Sequence, residues 1–144
     1  MRRNLYFRLT LLLVAILLIG CSGGSGSSPA TTEINSVLNQ YQSGMKKMNA
    51  ESIANLFVYP LELDGEVLET KEQAIFMYSF LFGMIHIHEY EIRERVIIID
   101  STGTNATVEG IIFAKITSFW GTETNSQPFV MKFRKVGGKW KISG

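Results

Sequence analysis

The chain has 144 residues, with 14 Lys and Arg against 13 Asp and Glu, a formal net charge of +1. That balance lacks the basic excess that neutralises phosphates, so nucleic acid is not an expected partner. A single cysteine excludes an internal disulfide and a zinc-cysteine set, and no phosphate-binding glycine pattern or nucleophile elbow occurs.

The first stretch falls into three zones. Residues 1–8 carry Arg2, Arg3 and Arg8 with no acid, residues 9–19 are apolar apart from Thr10, and Gly20 precedes Cys21. A bilayer-spanning helix takes ~20 apolar residues, so this core has the length of an export signal. Leu18-Ile19-Gly20-Cys21 resembles the lipobox of bacterial lipoproteins. The resemblance implies that the Cys21 thiol is alkylated with diacylglycerol, that the chain is cut before it, and that the new amine is acylated. Residues 1–20 are then a signal peptide, and the chain is lipid-anchored in the cell envelope, outside the cytoplasm. An ordinary secretory signal and an uncleaved membrane anchor are the alternatives. Loss of the signal takes three of the 14 basic residues, so acids outnumber bases in what remains.

Residues 21–30 form the lipidated cysteine and its linker. Residues 22–30 are mostly Gly and Ser, a flexible coil with an end-to-end distance of ~15–18 Å. Residues 31–144 suffice for one domain with its own core. Thr31 or Thr32 can cap a first helix, along which Ile34, Val37, Leu38, Tyr41, Met45 and Met48 recur at helical spacing. Asn49 opens a short second helix that Pro60 terminates, and Asp64-Gly65 turns a hairpin. Thr70-Lys71-Glu72-Gln73 is a capping box for a third helix running to about Gly83. That helix is apolar nearly all round, so it is buried on more than one side or meets a subunit, partner or membrane.

Strands are predicted over residues 86–99, 105–120, 129–136 and 139–143, with a polar loop between the second and third ending near Pro128. The turns are Asp100-Ser101-Thr102-Gly103 and Gly137-Gly138. Ala106, Val108, Gly110, Ile112, Ala114 and Ile116 are expected to face inward. The class is α+β, three N-terminal helices packed on one face of a curved antiparallel sheet. Lys132, Arg134, Lys135, Lys139 and Lys141 crowd the C-terminal hairpin. They are expected to pair across strands with an acidic neighbour; a basic face turned toward anionic lipid is the alternative.

This order of elements resembles the nuclear transport factor 2-like superfamily, the cone-shaped fold shared with ketosteroid isomerase. The resemblance is carried by the first helix with Tyr41, by Ile53-Ala54-Asn55-Leu56-Phe57 before Pro60, and by the closing hairpin from Phe133 to Ile142. Enzymes of that superfamily place Asp, His, Arg or Tyr deep in the cone. No such set matches residue by residue here, so no catalytic residue is assigned, and a shared fold selects no function.

His86-Ile87-His88 puts two imidazoles on one face of a strand, but a third ligand would have to come from elsewhere, such as Asp64 or Glu66. No metal and no cofactor are expected. Tyr41 and Asp64 are the candidate acid/base pair, set against packing for one and an Asp-Gly turn for the other. Trp140 is expected in the core, and Tyr41, His86, His88 and Trp120 at a cavity or its rim. The reading is a non-catalytic module that binds a partner or a small apolar ligand and forms a homodimer through its third helix and sheet. The alternatives are an enzyme acting on a small hydrophobic molecule in the cone, and a purely structural envelope protein.

Overall fold

The computed structural model describes residues 28–63 and 65–144; the lipobox with Cys21, most of the linker, and Asp64 lie outside the described residues. Helix α1 (Pro29–Lys46) is capped by Ser28, whose hydroxyl accepts from the Thr31 N–H at 3.2 Å. The cap is thus not Thr31 or Thr32, because Pro29 occupies the first helical position, where a missing N–H costs nothing. Its buried face is Ile34, Val37, Leu38, Tyr41 and Met45. Helix α2 (Ala50–Ala54) is only 5 residues long and is capped by Asn49. The hairpin β1 (Leu61–Leu63) and β2 (Glu66–Leu68) then intervenes before α3 (Lys71–Met84). The capping box forms: the Thr70 hydroxyl accepts from the Gln73 N–H, and the Gln73 side chain accepts from the Glu69 N–H at 2.7 Å.

Strands β3 (Ile85–Ile99), β4 (Asn105–Ser118), β5 (Gly121–Val136) and β6 (Lys139–Ile142) form one antiparallel meander. Two irregularities bend β3, between Ile87 and Glu89 and between Arg93 and Val96. Each resets the alternation, so the inward set runs Ile87, then Tyr90 and Ile92, then Ile97 and Ile99. At the second, Glu94 takes φ 53 and the Arg93 carbonyl leans toward Gly110, where a Cβ would stand 2.7 Å from it. Opposite β4, the polar stretch from Gly121 to Gln127 is strand, not the expected loop. Phe119 and Trp120 alone make the turn, because Ser118 already pairs with Gly121 at φ +122.

The two edges of the sheet are treated differently. Along β3, the Gln42 side chain accepts from the Ile92 N–H at 2.8 Å, and Arg95 donates to Asn39 at 2.8 Å, so α1 covers that edge. Among the described residues, outer-edge pairing along β5 begins only at Lys132, which bonds Gly144 and Ser143. Even-numbered residues face this edge, and among them is Pro128, which has no N–H to offer. Strand β6 closes the fold against the segment after α2: the Val58 N–H donates to the Ile142 carbonyl at 2.8 Å. Phe133, Ile34, Leu38 and Ile142 are fully buried between these layers, and Trp140 is core as expected.

Candidate functional site

Inside the cone, α1, α3 and β3 each contribute one phenol. The hydroxyls of Tyr41 and Tyr78 are 3.2 Å apart, and the Tyr41 and Tyr90 rings meet edge-on at 6.2 Å. Burial pushes Tyr41 above the ordinary phenol value, against hydrogen bonds from Tyr78 and Tyr90 that favour its ionised form. Tyr78 and Tyr90 are raised well above it, first by burial and then by the adjoining Tyr41. Tyr59, whose hydroxyl donates to the Ala54 carbonyl at 2.8 Å, is pushed up to about 12 by burial and by Glu72. Among the described residues no acidic, basic or imidazole side chain is buried. The interior is therefore hydrocarbon with a cluster of protonated phenols, which can share protons but carry no charge near neutral pH.

Tyr41 accordingly belongs to the core rather than a rim. Sequence periodicity found Tyr41 but not its companions, although Tyr78 and Tyr90 also stand on inward positions. The apolar run around Tyr78 and the register shift before Tyr90 masked that phase.

His86 and His88 do share a face, with ring centroids 4.8 Å apart, but both are exposed on the outer side of the sheet. His88 Nε2 lies 2.8 Å from Thr117 Oγ1, which is 2.6 Å from Thr122 Oγ1. These histidines line no cavity mouth, because their positions alternate with the inward Ile87. Among the described residues no group of three His, Cys, Asp or Glu is placed to hold a metal ion.

The apolar surplus lies outside. Phe76, Phe80 and Met84 recur every fourth residue along α3, and the first two are 74% and 62% exposed. Ala74 and Tyr78 of α3 are buried and Ile75, Met77, Leu81 and Phe82 pack partly buried against the core, so burial within the domain leaves Phe76, Phe80 and Met84 unaccounted for. With Val67 and Leu68 of β2, Phe76 and Phe80 line a groove of about 540 Å³. Met84 leads directly into Ile85, which pairs with Ser118, so the end of α3 adjoins the β4–β5 tip. There Phe119 is 93% and Trp120 74% exposed, their rings edge to face at 5.9 Å.

The basic hairpin does not make the expected ion pairs. Among the described residues the salt bridges are Lys71–Glu51 and Arg93–Glu91, and neither involves it. The register explains this, since Arg134 stands between Asn105 and Lys141 rather than opposite an acid.

No protein-family model matches the chain, and no curated protein matches it. Solved structures do. A ketosteroid isomerase-like protein from Erwinia carotovora atroseptica superposes with TM-score 0.63 at 13% identity, over 78% of this chain and 89% of that one. A protein of unknown function from Mycobacterium tuberculosis gives TM-score 0.66 at 16% identity, over 78% and 70%. A protein of unknown function with a cystatin-like fold from Nostoc punctiforme gives 0.59 at 15%, over 78% and 84%. At such identities the likeness concerns the fold alone, which is the α+β nuclear transport factor 2-like cone.

Proposed function

We propose that this chain is a lipid-anchored, non-catalytic module that binds an apolar partner on its outer surface. The observation that carries this reading is the exposed aromatic row from Phe76 and Phe80 through Met84 to Phe119 and Trp120, outside a cone packed with its own tyrosines. Exposed large apolar side chains gathered in this way mark an interaction surface. Among the described residues nothing charged is buried that could exchange protons with a substrate near neutral pH, so chemistry carried by them in the cone would rest on Tyr41 and its two neighbours. A second copy of the chain is the first partner to test. Anchoring through Cys21 would raise the local concentration of such copies on one membrane.

The test uses an apolar fluorescent probe with residues 22–144. Phe80→Ser with Phe119→Ser should abolish probe binding, and Tyr90→Phe should leave it intact. Loss of binding, or of a turnover found by substrate screening, in Tyr41→Phe or Tyr78→Phe alone would overturn the reading in favour of a cone site. The anchor is tested separately by intact mass: a mature chain that begins at Cys21 without acyl groups would remove it.

A further inference from the structure

The sheet has two ends, and charge and tether meet at one of them. Helix α1 runs antiparallel to β3: Tyr41 meets the Tyr90 ring and Gln42 accepts from both Ile92 and Arg95, while Asn39 and Asn35, earlier on the helix, accept from Arg95 alone. Its first residue, Pro29, therefore lies near the Ile99 end of β3. In register with that end are Thr107 and Lys132 on the neighbouring strands, and beyond them Arg134 opposite Lys141. The turn of Phe119 and Trp120 is at the other end, beside Ile85. Strand β3 has 15 residues, so the two ends lie at most ~45–50 Å apart along it.

The outward face at the first end combines cations with aliphatic side chains. Lys132, Arg134 and Lys139 are exposed, Lys141 is half-buried, and no carboxylate among the described residues lies within ion-pair distance of any of them. Arg134 and Lys141 are direct cross-strand partners, an unfavourable like-charge pairing, and among the described residues the Lys141 ammonium donates only to the Asn55 carbonyl at 3.5 Å, a neutral acceptor that leaves the two charges uncompensated. Around them Val96, Ile98, Val130 and Val136 are each about half exposed or more. Glu109 is the acid on the same face, between Val96 and Val130, and Glu62 and Arg134 line a common depression without pairing. The chain between Cys21 and Pro29 reaches at most ~28 Å when extended, so a lipid on Cys21 would keep this end near the bilayer.

We infer that the face formed by Lys132, Arg134, Lys139 and Lys141 with Val96, Ile98 and Val130 docks on an anionic lipid surface. Cations meet headgroup phosphates, aliphatic side chains enter the boundary between headgroups and chains, and the aromatic tip points away toward the partner. The inference rests on the membrane-tethered reading, but its test does not need the anchor.

Residues 22–144 contain every buried side chain of the described domain, so this unlipidated form is mixed with vesicles of phosphatidylcholine, with and without phosphatidylglycerol. Co-sedimentation should require phosphatidylglycerol and disappear in ~1 M salt, where charges are screened within ~3 Å. Replacing Lys132, Arg134, Lys139 and Lys141 together by Gln should weaken binding a hundred-fold or more, at about five-fold per cation. Replacing Lys46 and Lys47, at the other end of α1, should not. Equal binding to both vesicles, no binding to either, or an unchanged quadruple variant would overturn the inference. So would tight binding to a DNA duplex in place of the vesicle. If the domain binds these vesicles while the full chain carries no acyl group, the anchor falls and the docking face stands; the reverse result removes the face alone.

Discussion

Tyr41, Tyr78 and Tyr90 hold their protons in a place that water does not reach, and this gives the domain an alkaline limit. Each phenol titrates higher in the folded state than in the unfolded chain. The sign follows: their contribution is complete below the ordinary phenol pKa of ~10 and is lost as pH rises above it, because only the unfolded chain can then ionise. Stability should be flat from neutrality to about pH 10 and then fall steeply. Absorbance of phenolate from these residues should appear together with loss of circular dichroism. Phenolate appearing in a still-folded domain would contradict the packing described. Tyr41→Phe removes one hydroxyl from a cluster whose members can still pair, and should cost about 1 kcal/mol in denaturant unfolding.

Among the elements, the two long helices were legible in the sequence because caps and apolar spacing agreed. Thr70-Lys71-Glu72-Gln73 announced α3, and the stripe from Ile34 to Met45 announced the buried face of α1. The first half of β5 was not legible. Thr122, Glu123, Thr124, Asn125 and Ser126 carry no apolar alternation, since this stretch is an edge with both faces partly wet. The turn before it lacks the glycine-first or Asn-Gly pair that signals a two-residue hairpin. The bulges in β3 were equally silent, and they decided which residues of the candidate site point inward. Gly110 is the sequence trace of the second bulge. Its substitution by Ala would drive a methyl against the Arg93 carbonyl and the Phe129 ring at 2.7 and 2.9 Å. Gly110→Ala should cost about 3 kcal/mol and lower the melting temperature by roughly 10 °C or more. A thermal melt within a degree or two of the parent would mean that β3 is not bulged there.

For the whole molecule, the fold was readable while the disposition of its surfaces was not. Composition placed cations on the last hairpin, but only the register of β3 with β4 and β5 puts them at the opposite end of the sheet from Phe119 and Trp120. Self-association through the aromatic row should appear in light scattering of residues 22–144 as a mass above the monomer, returning to monomer with Phe76→Ser and Phe80→Ser. Neither change should move the melting temperature much, because neither side chain is in the core. A parent that stays monomeric at high micromolar concentration would exclude the dimer.

The uncovered edge of β5 has a consequence for molecules held side by side on a surface. An unpaired strand with few charges is a template on which a neighbour can add its own strand, and the addition can propagate into fibrils. Pro128 stands in the phase that faces this edge and withholds the donor that an incoming strand would need. It works as a guard against aggregation rather than as a part of the fold. Pro128→Val should therefore leave unfolding by denaturant nearly unchanged, yet shorten the lag before thioflavin-positive aggregates form in concentrated solution. An unaltered lag would show that the edge is protected by something other than this proline.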